Sequence, residues 1–308
     1  MPDKIVLEHN GAIGDFLLTW PAALALARAF PRAALFFNGK SAHARWLAPL
    51  GYAPCPPGLR RELDALYGRE RWPQSLDGVM VVRPGLAKRP DIPASAHFHF
   101  LRGVVPGRYD PPARLYQEGL AAMGIAWPRD WPRRFRELFA APRRDYAGNG
   151  PVLCFPGAGH PFKMWPLERF LQLADRLRDA GFDPVLVLGP AESGERFSGL
   201  RHPVLRPESL AALEGLLLGA KAVIGNDSGP MHLAGMLGIP GLALFGPTSP
   251  SQWGPAGLTI LRGSCPRSPC AQITAGAFPG GCPAPACLDS ISLNQAAEAL
   301  FPLLENAP

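Results

Sequence analysis

No uninterrupted apolar run of about 18 residues occurs in the chain, which excludes a membrane-spanning helix. The apolar stretch in the opening MPDKIVLEHNG is too short for the core of a signal peptide, so a cytoplasmic protein is expected, with at most peripheral contact with the inner membrane. Lysine is scarce, five of 31 basic residues. The arginines around Arg60–Arg71 are interleaved with Glu62, Asp64 and Glu70 rather than with stacking aromatics, which argues against nucleic acid as a partner. No Asp-x-Asp occurs, so a nucleotide-bound divalent metal has no obvious ligands. Internal repeats of 20–50 residues and low-complexity tracts are also missing.

What remains is globular: 308 residues, 47% hydrophobic and 18% charged, a length that favours two domains. Charge divides unevenly. Residues 1–150 carry 21 Lys+Arg against 13 Asp+Glu (+8), and residues 151–308 carry 10 against 12 (−2). A basic first half suits an anionic ligand or membrane surface, although Arg-rich composition alone accounts for it equally well.

Short apolar runs alternate with helical periodicity in both halves, which predicts α/β domains with parallel sheets. Lys4–His9 reads as a strand. It breaks at Gly11-Ala12-Ile13-Gly14-Asp15, and Pro21 places the start of the next helix at Thr19 as N-cap. Residues 50–75 and 83–145 are dense in Pro and Arg and give no assignment. From Pro151 onward the pattern is clean: strands at 152–155, 184–188, 222–225 and 242–245, and helices at 166–179, 209–218 and 230–237, with a final amphipathic helix on Leu293, Ala296, Ala297, Leu300 and Leu304. The domain boundary is expected in the polar Arg143–Gly150, dividing the chain at 147/148.

Three loops could carry chemistry. Asn226-Asp227-Ser228-Gly229-Pro230-Met231-His232 follows a buried strand and opens a helix, with Asp227 or Ser228 as N-cap. Amides of such a helix start, at the carboxyl end of a parallel sheet, suit an anion such as a diphosphate, although a plain capped helix uses the same residues. Pro156-Gly157-Ala158-Gly159-His160-Pro161-Phe162-Lys163-Met164-Trp165-Pro166 lets backbone approach a ligand at its glycines and offers Lys163 as a mobile positive charge. It matches neither the P-loop nor GxGxxG. Asp15, after Gly11 and Gly14, suits a general base toward a hydroxyl or simply caps the following turn.

Together these motifs resemble glycosyltransferase family 9, the lipopolysaccharide heptosyltransferases. The family's Gly-x-x-Gly-Asp-x-x-x-Thr is similar to Gly11–Thr19, its Pro-Gly-Ala with Lys-x-Trp-Pro to Pro156–Ala158 and Lys163–Pro166, and its Asn-Asp-(Ser/Thr)-Gly-Pro-x-His-x-Ala with Phe-Gly-Pro-Thr to Asn226–Ala234 and Phe245–Thr248. The resemblance covers roughly residues 4–40 and 150–305. It implies a GT-B fold: two Rossmann-like domains facing across a cleft, an acceptor-side one at 1–147 and a donor-binding one at 148–308, with the last helix returning toward the first domain. It further implies inverting transfer of a sugar, heptose from ADP-heptose, onto an anionic lipopolysaccharide core acceptor, with no required cofactor. Asp15 matches the family's base and Lys163 the residue that neutralises the departing diphosphate. Gly157, Glu192, Asp227, Ser228, Gly229, Met231 and His232 match donor contacts, Glu192 at the ribose. The chain departs from the family in His9-Asn10-Gly11, where relatives often carry Arg-Leu-Gly, and in Ala158 and Gly159, where they often carry hydroxyl residues. A nucleotide-sugar epimerase of the same fold and a non-catalytic sugar-nucleotide or glycan-binding protein are the competing readings.

Cys265, Cys270, Cys282 and Cys287 form a C-x4-C-x11-C-x4-C pattern that suits structural zinc, disulfides or free thiols, and any metal there is expected to be structural and remote from the chemistry.

Overall fold

The computed structural model describes residues 2–86, 88–140, 150–190, 192, 197–270 and 286–305. It divides into two compact units, Met1–Trp131 and Pro132–Pro308. This division falls ahead of the expected 147/148. Helix Trp131–Phe139 goes almost wholly with the second unit, where the Arg136 stem lies against Gly238.

In the first unit, β1 (Lys4–His9), β2 (Ala34–Gly39), β3 (Tyr52–Pro54), β4 (Val79–Gly85) and β5 (Phe98–Arg102) form a parallel sheet in the order β3-β2-β1-β4-β5. Strand β1 is central and buried from Ile5 onward, which accounts for its apolar Ile5-Val6-Leu7, while Glu8 and His9 are buried at its end. Helices α1 (Ile13–Ala29), α2 (Ser41–Ala44), α3 (Pro57–Asp64) and α4 (Pro112–Ala122) accompany the sheet.

Helix α1 corrects the sequence reading. It begins at Ile13 rather than after Thr19, so Pro21 lies inside it and Asp15 in its first turn. The Thr19 hydroxyl does not cap. It donates back to the Phe16 carbonyl at 2.7 Å. Ten of the eleven positions from Phe16 to Leu26 are buried, and packing on every side holds the proline where propensity alone would end the helix. Helices α3 and α4 each place a proline at their first turn, where its missing N–H costs nothing, and so they form within segments too rich in Pro and Arg to read.

The second unit continues with α5 (Trp131–Phe139), β6 (Val152–Phe155), α6 (Leu167–Asp179), β7 (Pro184–Val187), β8 (Val204–Leu205), α7 (Leu210–Leu218), β9 (Ala222–Asn226), α8 (Gly229–Leu237), β10 (Gly241–Phe245), α9 (Pro250–Trp253), β11 (Thr259–Arg262), α10 (Ala286–Asp289) and α11 (Leu293–Glu305). Its parallel sheet runs β11-β10-β9-β6-β7-β8. Ser209 caps α7, its Oγ accepting from the Ala212 amide at 3.1 Å. Helix α11 turns an apolar face into its own unit. Ala296, Ala297, Leu300 and Leu304 are buried in the second unit's core with Val152, Trp165, Phe170 and Leu244. The chain order reverses between β6 and β9, and in open α/β sheets ligands bind outside the carboxyl ends of the strands at such a point.

Candidate active site

At that switch point the loops after β6 and β9 are joined by side chains. Asn226, fully buried at the end of β9, donates from Nδ2 to the Pro156 carbonyl at 2.8 Å and accepts the Trp165 amide on Oδ1 at 2.9 Å. One amide thus staples both ends of the loop 156–166. The Trp165 ring is fully buried against Phe170, and its Nε1 donates to the Ile291 carbonyl at 2.9 Å. Inside the loop a single helical turn, Pro161–Lys163, is capped by His160, whose Nδ1 accepts the Phe162 amide at 3.2 Å. This delivers Lys163 toward Asp227, with Nζ 2.7 Å from Oδ2. Thr248, also fully buried, donates to the same oxygen at 2.7 Å.

Asp227 therefore spends its carboxylate on Lys163 and Thr248, not on the helix. Ser228 occupies the N-cap position of α8 with extended backbone, and its side chain makes no capping bond. Its Oγ is buried and without a partner among the described residues. Pro230 has no N–H, and the Met231 amide bonds the Ser228 carbonyl at 3.2 Å. Gly229 opens the helix. The start of α8 is thus a positive dipole end without a side-chain cap, with an ammonium beside it, an arrangement suited to an anion. His232, in the second turn, is buried. Burial first, and the Lys163 charge after it, push its imidazole down to about 4 against the pull of Asp227, so the ring is neutral at pH 7.

Gly157 and Glu192 also meet. A Cβ on Gly157 would lie 2.1 Å from Glu192 Oε1, so only glycine admits the carboxylate there. Glu192 is buried, accepts the Gly189 amide on Oε2 at 2.7 Å, and has its own carbonyl held by Arg206 at 2.9 Å.

In the first unit, Gly11 lies over the His9 ring, and a Cβ there would meet His9 Cε1 at 2.7 Å and Asp15 Cβ at 3.2 Å. Gly14 and Asp15 follow in the first turn of α1, where a carboxylate faces the positive helix end. Asp15 is half-buried, and its charge adds to the burial that raises the Tyr116 phenol. Beside this loop, Glu8 is buried with Arg83 Nη1 at 2.6 Å and the Tyr67 hydroxyl at 3.0 Å from its Oε1.

Cys265 and Cys287 are free thiols, while Cys282 lies outside the described residues. Among the described residues no group of three His, Cys, Asp or Glu is placed to hold a metal, and no helix is long and apolar enough to cross a membrane.

The model for "Glycosyltransferase family 9 (heptosyltransferase)" matches residues 128–275. Lipopolysaccharide heptosyltransferase 1 of Pseudomonas aeruginosa is 27% identical, over 88% of this chain and 87% of its own. The chain is similar to glycosyltransferase family 9 over both of these stretches. It is a glycosyltransferase, and its α/β fold is of the GT-B type. Two structures of the heptosyltransferase WaaC of E. coli superpose on it. The one with ADP has a TM-score of 0.63 and 18% identity over 96% of this chain and 98% of the other. The one with ADP-2-deoxy-2-fluoro heptose has a TM-score of 0.61 at the same identity and coverage. For this glycosyltransferase, Asn226 and Thr248 are the site residues to which the sequence reading gave no role. Both lie within the quoted motifs, and their only signal was a polar side chain at the end of a buried strand or just past it.

Proposed function

We propose that the enzyme moves heptose from ADP-heptose onto the anionic core of a lipopolysaccharide precursor, by direct displacement with inversion and without a metal. The observation that carries this reading is the Lys163–Asp227 pair at 2.7 Å beside the start of α8. A departing diphosphate needs its new charge met, and an ammonium with helix amides supplies that charge. The absence of any Asp-x-Asp agrees. The relatives' names, and the ADP and fluoro-heptose complexes of WaaC, support the donor.

In this reading the acceptor hydroxyl attacks the anomeric carbon and gives its proton to the Asp15 carboxylate. The bond from that carbon to the diphosphate breaks, with its electron pair passing to the phosphate oxygen beside Lys163. Glu192 contacts the ribose, Gly157, Ser228, Gly229 and Met231 line the donor, and neutral His232 backs the diphosphate. The +8 of residues 1–150 suits a phosphorylated acceptor at a membrane surface.

A thermal-shift panel of ADP, GDP, UDP and CDP, each with and without EDTA, tests the donor and the metal together. At about 100 times its dissociation constant a ligand adds roughly 2.7 kcal/mol, several degrees for a chain of this size. ADP is expected to stabilise equally in EDTA. A UDP or GDP preference removes ADP-heptose, and a shift abolished by EDTA removes the metal-free mechanism.

A further inference from the structure

Asp227 presents a chemical difficulty. A carboxylate beside a diphosphate site repels the ligand, and once Lys163 turns to the diphosphate the carboxylate loses its counter-charge in a buried place. Its side chain is 6% exposed against 12% for Lys163, so the lysine is the more exposed partner. It also has the longer and more flexible stem. Thr248 is fully buried just beyond β10, and its hydroxyl donates to Oδ2, the oxygen that also carries Nζ. The Asp227 amide bonds the Leu244 carbonyl of β10 at 3.1 Å, so backbone and side chain together tie Asp227 to β10 and the segment that follows it. The neutral His232 ring is a further titratable neighbour.

We propose that Thr248 is a positioning residue for the donor diphosphate: its hydroxyl holds the Asp227 carboxylate so that Lys163 can pass from Asp227 to the ligand without leaving that carboxylate unpaired. This rests on the donor reading of the same site. Thr248 touches neither substrate nor the reacting atoms and acts through Asp227 on Lys163.

The test is a double-mutant cycle with Thr248→Val and Thr248→Ser, each alone and with Lys163→Met, which keeps the stem and removes the charge. Inorganic pyrophosphate and ADP binding are measured by calorimetry, and urea unfolding is followed on the ligand-free proteins. Thr248→Val is expected to weaken pyrophosphate by about tenfold or more, the worth of a hydrogen bond to a buried charge. In the Lys163→Met background the same change costs less than about twofold, and Thr248→Ser restores binding to near the parent value. The ligand-free proteins are expected to show coupling between positions 163 and 248. Equal losses of binding in both backgrounds, or strictly additive unfolding midpoints, overturn the proposal. Coupling in unfolding with a parent protein that binds neither pyrophosphate nor ADP overturns the donor reading instead and leaves the hold of Thr248 on the ion pair supported. Should Thr248→Val fail to fold, Thr248→Ala is read in both backgrounds in its place.

Discussion

A carboxylate in the first turn of a helix is stabilised by the helix dipole whether or not it does chemistry, and Asp15 has that position in α1. Stability and catalysis separate the two roles. Removing the charge in Asp15→Asn forfeits only about 0.3–1 kcal/mol of dipole interaction. Removing a general base should lower kcat by about 10²- to 10⁴-fold. We expect that fall, with ADP affinity within about twofold of the parent, in a steady-state transfer assay paired with a thermal melt. Turnover near the parent value would leave Asp15 a helix-end residue only. At this scale the sequence was partly legible. Lys163, Asp227 and Asp15 stood out because charged residues at the carboxyl ends of apolar strands need a reason to be there. Asn226 and Thr248 did not stand out, because their partners, Pro156 and Trp165 for one and Asp227 for the other, lie up to 70 residues away. The need for glycine at 157 was likewise hidden in the side chain of Glu192, from another loop.

At the scale of elements, the loop 156–166 is held by what surrounds it more than by its own conformation. Asn226 supplies one donor and one acceptor to two backbone groups that have no water to turn to. Asn226→Leu leaves the Pro156 carbonyl and the Trp165 amide buried and unpaired, at about 1–3 kcal/mol each. We expect a melting temperature lower by several degrees and weaker ADP binding, since the same loop carries Lys163. Asn226→Asp keeps the acceptor for Trp165 but sets an oxygen against the Pro156 carbonyl, so it should recover little of the loss. A melt of Asn226→Leu at the parent temperature would show that the loop is held elsewhere. The elements most legible in the sequence were the fully buried parallel strands β6, β7, β9 and β10 and the helices after them, where burial on both faces writes continuous apolar runs. The start of α1 was misread because Pro21 counts as a breaker until tertiary packing outweighs it. Helices α3, α4 and α5 were missed for a related reason. Their prolines sit at or next to the first turn, and their exposed faces are polar or, in α3 and α5, arginine-rich, so the short apolar face hardly registers along the sequence.

For the whole molecule, alternating strands and helices announced two α/β units, while strand order and the exact division were written in contacts that no local pattern carries. Each unit also buries a neutral imidazole. His9 in the first is pushed down to about 3, chiefly by burial and then by the neighbouring His43, Lys40 and Arg83 charges. His232 in the second is held at about 4, again chiefly by burial. Both lie below the roughly 6.5 of an unfolded histidine, so under pH 6.5 the unfolded chain binds more protons than the folded one. Stability must then fall as pH drops from 6.5 toward 4, by about 2 kcal/mol for each histidine between pH 7 and pH 5. Carboxylates with lowered values lose their own contribution on acidification as well, so the total slope alone does not identify the source. The difference between variants does. His232→Gln should reduce the loss between pH 7 and pH 5 by about 2 kcal/mol in urea unfolding, without changing the slope above pH 7. An unchanged loss would mean that His232 takes up its proton while the protein is still folded, with Asp227 beside it outweighing burial.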